Sequence, residues 1–290
     1  MSAGVDPDWL ARLHARLARP PRQPRVALAV RAAGAPQGVV IGSVEPALIA
    51  ALAGLIGPDA EPLLRVRPDG GWLLPGEPVA ALACLALALR AAGLCGAWRD
   101  EALAVRDAQG TVRASVERGA VRVLGIATHA VHLVGIAHGN DMAQPGRGVW
   151  LQQRAWNKPN DPGCWDTLVG GLVSAADDAC SALERETWEE AGLRPSDLTA
   201  RAQGGSFEVR RPSPDGAGAG YMIERIDWSW ATLVPGAVPS NQDGEVERFE
   251  CVGRSELLRR LHADAVTDEA ARILVDALPP LGWADAAPEC

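Results

Sequence analysis

Aromatic side chains other than tryptophan are nearly absent: the chain has two Phe and one Tyr against ten Trp, so indole rings carry most of the aromatic packing open to it. No CxxC spacing joins the six cysteines, Cys84, Cys95, Cys164, Cys180, Cys251 and Cys290, which argues against a zinc site. With no signal peptide ahead of them they read as reduced thiols of a cytoplasmic protein. The longest apolar run, Val79 to Leu89, falls well short of the roughly 20 residues that span a bilayer, and reads as a buried helix. An excess of positive charge is also lacking. A net charge of −8 and a pI near 5.2 oppose nucleic-acid binding that relies on neutralising many phosphates, but remain compatible with a small anion held through a metal. What is present, 48% hydrophobic and 22% charged residues over 290 positions, is a soluble globular composition with room for two ordinary domains.

The chemistry concentrates between Gly171 and Leu193, GLVSAADDACSALERETWEEAGL. From about Asp178 to Ala191 the residues are good helix formers, and Gly192 supplies the left-handed stop expected past a helix end. Glu186, Glu189 and Glu190 stand at i, i+3 and i+4, so their side chains leave one surface within a single turn. Like charges at that spacing repel, and the helix C-terminus disfavours anions. Read alone, the cluster is either a solvated acidic helix end or a cation site. Arg185 can neutralise one carboxylate, and a hard divalent ion, Mg²⁺ or Mn²⁺, matches an oxygen-donor set.

The same stretch resembles the Nudix box: a glycine, five residues, an acid, seven residues, then Arg-Glu-aliphatic-any-Glu-Glu-any-Gly-aliphatic. Gly171, Arg185, Glu186, Glu189, Glu190, Gly192 and Leu193 fit it, with Asp177 in place of the usual glutamate and Thr187 in place of an aliphatic residue. The hydroxyl of Thr187 is expected to bond back to a carbonyl one turn earlier. Asp177 is expected as an outer metal ligand, through water, or as an acidic helix-start residue. The resemblance implies a Nudix α/β/α sandwich and metal-dependent hydrolysis of a diphosphate linkage. It also implies that the Gly170 carbonyl joins Glu186, Glu189 and Glu190 at the metal, and that Glu186 or Glu245 acts as base beside Arg185. For Glu245 the alternative is a solvated acidic turn.

Along the chain, a first amphipathic helix carries Trp9, Leu10, Leu13 and Leu17, a Pro-rich connector spans Pro20 to Pro24, and Val26 to Val30 reads as a strand. Helices are expected at Glu45 to Leu55 and Pro78 to Leu94, with a loop-rich Pro58 to Gly76 between them. Strand-like runs follow at Ala102 to Arg106, Thr111 to Val116 and Ala120 to Leu124. The second unit reads as strands at His129 to Ala137 and Val149 to Arg154 around a polar loop from His138 to Gly146. After the box come strands at Ser206 to Arg210, Tyr221 to Leu233 and Val246 to Val252, then helices at Arg254 to His262 and Thr267 to Leu278. A smaller N-terminal α+β domain is thus expected over residues 1–124 and the Nudix domain over 125–290.

The segments GAWRDE (Gly96 to Glu101), NKPNDPGCWDTLVGG (Asn157 to Gly171) and NQDGEVERF (Asn241 to Phe249) resemble a Nudix subfamily with an extra N-terminal domain. That subfamily includes plant proteins and the hydrolase half of yeast thiamine pyrophosphokinase fusions, which implies thiamine diphosphate or an oxidised form of it as substrate. The extra domain is expected either to close over the site or to mediate homodimer contacts. Arg154 and Lys158 are candidates to meet substrate phosphates, with a surface role as the alternative. His129 and His132, at i and i+3 in a strand, face opposite ways and read as packing residues. Trp150, Trp156 and Trp165 read as core. Competing readings are a ligand-binding or regulatory module, an ADP-ribose or dinucleotide pyrophosphatase, and a prenyl diphosphate isomerase with Cys164 as proton donor.

Overall fold

The computed structural model describes residues 4–56, 64–137, 148–279 and 281–283. Among them the first part of the chain forms α1 (Pro7–Leu17), β1 (Val26–Ala32), β2 (Ala35–Val44), α2 (Pro46–Ile56), β3 (Arg65–Val66) and β4 (Trp72–Leu74). It continues with α3 (Pro78–Ala91), β5 (Ala102–Arg106), β6 (Val112–Glu117) and α4 (Arg118–Val121). There follow β7 (Thr128–Ile136), β8 (Val149–Arg154), β9 (Trp165–Asp166), β10 (Val169–Leu172), α5 (Ala179–Ala191), β11 (Leu198–Ser213), β12 (Gly220–Leu233), β13 (Val246–Val252), α6 (Arg254–His262) and α7 (Asp268–Asp276). The loop expected from His138 to Gly146 and Cys290 lie outside the described residues. No helix among the described residues is long and apolar enough to cross a membrane.

The larger sheet has the order β11-β12-β7-β8-β13, with β10 also paired to β7 and β9 to β8. β12 runs parallel to β7 from Glu224 beside Thr128 to Thr232 beside Ile136, while β10 pairs antiparallel with β7 and sets Gly170 beside His132. Side chains of β7 alternate between two cores, as the period of a strand requires. Ala130, Val134 and Ile136 enter a core shared with Leu13 of α1, Leu257 and Leu261 of α6 and Leu274 of α7. Val131 and Leu133 enter the other, with Ala182 and Leu183 of α5. One helix thus covers one face and three cover the other, which is the expected α/β/α layering. α1 is first in the chain, yet its Trp9, Leu13 and Leu17 bury into the core of these last helices, and the Trp9 indole donates to Asp264 at 3.0 Å.

A third core gathers Leu28, Val30, Leu82, Leu85, Leu89, Val105 and Leu124 between the sheet β2-β1-β4-β3, α3 and the β5-β6 hairpin. Glu77 caps α3 by accepting from the amides of Val79 and Ala80 at 3.1 and 2.8 Å, and Pro78 starts the helix where no amide is required. Part of the segment expected to be loop-rich instead pairs as β3 and β4. The run Ala120 to Leu124, expected as a strand, begins inside α4: the Glu117 side chain caps the Gly119 amide, and Leu124 N–H reaches Ala120 O at 3.0 Å. Arg25 ties the two assemblies together. Its guanidinium donates to the carbonyls of Ser43, Val123 and Ala219, spanning β2, the residues after α4, and the turn before β12.

Candidate active site

α5 starts on a capping box in which Asp178 accepts from the amides of Cys180 and Ser181 at 2.9 and 2.8 Å, and Ser181 Oγ accepts from the Asp178 amide at 3.0 Å. It ends at Gly192, whose φ of 63° is the left-handed stop. Thr187 Oγ1 donates to Leu183 O at 2.5 Å, the back-bond expected of a hydroxyl at this position. The cap is therefore Asp178. Asp177 accepts instead from Arg185 Nε at 3.1 Å and from Ser174 Oγ at 3.0 Å.

Arg185 is the hub of the box. Its Nη1 donates to Glu186 at 3.0 Å and to Glu189 at 2.8 Å, so one guanidinium serves three carboxylates. Glu190 turns the other way into the protein. It is 2% exposed, and its Oε2 accepts from the Gly170 amide at 2.9 Å and from Gln152 Nε2 at 3.0 Å. Burial, opposed by the Gly170 amide and reinforced by Glu186, pushes its carboxyl up to about 8. Burial likewise lifts Glu186 to about 7, against the pull of Arg185. The glycines of β10 are required by close approach. A Cβ on Gly171 would stand 2.2 Å from Glu186 Oε1, and one on Gly170 would stand 2.6 Å from His132 Cε1.

These groups border a cavity of about 470 Å³. Of the residues singled out in the sequence, Gly170, Gly171, His132, Glu186, Glu245, Arg154 and Lys158 line it, whereas Asp177, Arg185, Glu189 and Glu190 stand behind or beside Glu186. Lys158, the only lysine in the chain, donates to Glu245. Burial opposes ionisation of Glu245, but the Lys158 hydrogen bond and charge outweigh it and hold the carboxyl below its ordinary range. Arg154 is fixed by Asp166 at 3.3 Å and by the Asn160 carbonyl. None of Trp150, Trp156 and Trp165 lines the cavity; Trp165 lies under Arg260, 4.0 Å from the ring centre.

The oxygen donors suit a hard divalent ion in kind, since Glu186, Glu189 and Glu190 occupy little more than one helix turn and burial makes two of them hold protons more tightly, a cost that a bound cation would offset. Buried Gln152 Oε1 beside Glu190 has no hydrogen-bond partner among the described residues. An arriving ion must compete with Arg185 for Glu186 and Glu189, and no group of three or more such side chains stands as a ready-made cage among the described residues.

Sequence reasoning took His132 for a packing residue only and missed other lining residues. His132 bonds Thr167 at 2.9 Å, and burial lowers its proton affinity, so its ring is neutral at physiological pH. Glu224 accepts from Thr128 at 2.9 Å, and Glu269 from Arg211 at 2.6 Å. A signal existed for two of these: Glu224 falls between Met222 and Ile226, and His132 between Ala130 and Val134, polar groups on otherwise apolar, core-facing strand rows. No local pattern marks Arg19, Arg22, Arg118 and Arg122, which also line the cavity.

Residues 135–273 match the family model described as NUDIX domain, in keeping with the resemblance of the box. The chain is also similar to the uncharacterized protein YJR142W of Saccharomyces cerevisiae, 24% identical over 197 residues, 64% of this chain and 56% of that one. The alignment therefore spans little more than half the length of the yeast relative. Isopentenyl-diphosphate Delta-isomerase of Streptomyces avermitilis is 29% identical over 141 residues, 46% of this chain and 68% of the isomerase. Among solved structures, DR0079 from Deinococcus radiodurans aligns with a TM-score of 0.45 at 20% identity, covering 60% of this chain and 98% of that one.

Proposed function

We propose that the cavity binds a small-molecule diphosphate and hydrolyses its diphosphate linkage with the help of Mg²⁺ or Mn²⁺. The observation that carries this reading is the meeting of Glu186 and Glu245 with Arg154 and Lys158 beside the bare backbone of Gly170 and Gly171. Arg154 meets phosphate oxygens through paired N–H donors and Lys158 meets them as a point charge. Glu186, Glu189 and Glu190, with the Gly170 carbonyl, would hold the ion, which when bound neutralises the diphosphate and acidifies a water. When a phosphate takes Lys158, Glu245 loses the ammonium that holds its proton affinity down. Substrate binding thus makes Glu245 a better base. The water proton passes to the carboxylate, the water oxygen bonds to phosphorus, and the bridging P–O pair leaves with the departing phosphate. Glu186 is the competing base.

The test is a screen of the purified protein with Mg²⁺ or Mn²⁺ against ADP-ribose, NADH, thiamine diphosphate, oxothiamine diphosphate and isopentenyl diphosphate. Release of a monophosphate or phosphate supports hydrolysis. Tight binding of a compound without its turnover would mark a ligand-binding module instead. Thiamine diphosphate enters on the subfamily resemblance alone, and the comparisons lend it no support. The isomerase relative motivates the isopentenyl arm, in which an isomer forms without phosphate release. Against that arm, Cys164 is outside the cavity lining and burial pushes its thiol up. If Glu245→Gln keeps full kcat, the base is Glu186.

A further inference from the structure

Besides Arg211, which pairs with Asp268 and Glu269, four guanidiniums that the chemistry above does not use line the same cavity: Arg19 and Arg22 from the connector after α1, and Arg118 and Arg122 from α4 and its end. Three of the four backbones are pinned, those of Arg19, Arg118 and Arg122. The Arg19 amide donates to Arg210 O at 2.8 Å, and its carbonyl accepts from Tyr221 Oη at 3.0 Å. The Arg118 amide donates to Glu101 O, and the Arg122 carbonyl accepts from the Tyr221 amide, both at 2.8 Å. Arg22 Nη1 lies 3.2 Å from where a Cβ of Gly218 would be, at the turn before β12.

Their charges are only partly matched. Arg118 pairs with Glu101 at 2.7 Å and Arg122 stands 3.8 Å from Asp215, while Arg19 and Arg22 have no ion pair among the described residues. Arg19 and Arg22 are thus left without a carboxylate partner, in a chain of net charge −8. Like-charged guanidiniums gathered on fixed backbone repel one another, and a ligand of charge near −2 relieves this. A phosphomonoester has that charge and the oxygens for forked N–H donors. Arg118 is within electrostatic reach of Glu245, whereas Arg22 and Arg122 stand at the turn before β12. The positive lining therefore extends from the hydrolytic groups toward that turn.

We infer that the substrate carries, besides its diphosphate, a second anionic group of phosphomonoester type, and that Arg19, Arg22, Arg118 and Arg122 form the subsite that holds it. This rests on the diphosphate-hydrolase reading and narrows its substrate class.

The experiment compares matched pairs differing by one phosphomonoester: NADPH against NADH, and ADP-ribose 2′-phosphate against ADP-ribose. Wild-type kcat/KM is expected to favour the extra phosphate at least tenfold in one pair, and Arg19→Gln/Arg22→Gln to bring the ratio to about one. The control Arg201→Gln/Arg225→Gln removes two guanidiniums outside the cavity and is expected to keep the wild-type ratio. A ratio near one in the wild type, a ratio that survives the Arg19/Arg22 change, or an equal loss in the control overturns the inference. If no diphosphate compound is hydrolysed, the parent reading fails and the subsite is judged by calorimetry with inorganic phosphate in EDTA. Binding weakened at least tenfold by Arg19→Gln/Arg22→Gln, and unaffected in the control, sustains it; no binding, or equal binding in all three proteins, overturns it.

Discussion

Replacing Glu269 by Gln removes a titration from the cavity wall while keeping the size of the side chain and one oxygen for Arg211. In the wild type this carboxyl, 12% exposed, is pushed up from 4.5 to about 7, first by burial and then by neighbouring Glu224 and Asp161, against the pull of Arg211. An acid that holds its proton more tightly in the folded state gives stability that is complete below the unfolded value and is lost as pH rises from there through the folded value. Each pH unit inside that window is worth about 1.4 kcal/mol, so between pH 5 and pH 8 Glu269 withdraws about 2.5 kcal/mol at most. For a chain of this size that is a change in Tm of about 5 °C. The assay is thermal unfolding of both proteins in EDTA at the two pH values. Groups remote from Glu269 titrate equally in both, so the difference between the curves reports Glu269 and its coupling to Glu224 and Asp161. The variant should gain on the wild type by up to that amount from pH 5 to pH 8. Parallel curves would show that Glu269 ionises freely and refute the reasoning.

Glu190→Gln should lower turnover about a hundredfold or more with the fold intact, since it removes a buried ligand charge without changing shape; an unchanged rate at saturating Mg²⁺ would end the metal assignment. Mg²⁺ should raise Tm by mass action on the folded state, and the Glu186, Glu189, Glu190 triple Gln variant should lose that shift, an undiminished shift placing the ion elsewhere. Gly171→Ala should cost about a hundredfold in kcat, because a Cβ 2.2 Å from Glu186 Oε1 forces that carboxylate to move; kinetics like the wild type would mean its position is immaterial. Arg25→Ala leaves three carbonyls without their guanidinium partner and should destabilise by about 3 kcal/mol or more, read by urea unfolding; a change under about 1 kcal/mol would mean that water replaces the guanidinium.

The box helix was legible in the sequence because its information is local: charges within one turn, a run of good helix formers and a glycine stop at Gly192, although the cap is Asp178 and not Asp177. The strand β2 was missed because Pro36 and Gly38 break its pattern, and it tolerates them by lying at a sheet edge, which only the strand order reveals. α4 was misread because Ala120 to Leu124 is too short for a period to decide between helix and strand, and Glu117 decides it by capping Gly119. Arg185 was expected to serve one carboxylate and serves three, since Asp177, eight residues earlier, folds back onto its Nε. The arginine subsite had no local signal at all. Its two pairs, Arg19 with Arg22 and Arg118 with Arg122, lie far apart in the chain, and backbone bonds from Arg19 to Arg210 and from Tyr221 to Arg122 bring both to the cavity.

The position of α1 bears on what counts as the working unit. The stretch that matches the NUDIX domain, 135–273, holds the box, Glu245, Arg154 and Lys158. Cut out alone, it would leave bare the apolar floor that Trp9, Leu13 and Leu17 cover, and would strip Asp264 and Asp268 of their Arg16 partner. The connector that follows α1 carries Arg19 and Arg22, so the segment that closes the core of the last helices also delivers side chains to the cavity lining. Excising the matched stretch would therefore yield a fragment prone to aggregate and blind to part of its ligand, and deletions meant to map the active site should start ahead of Val5.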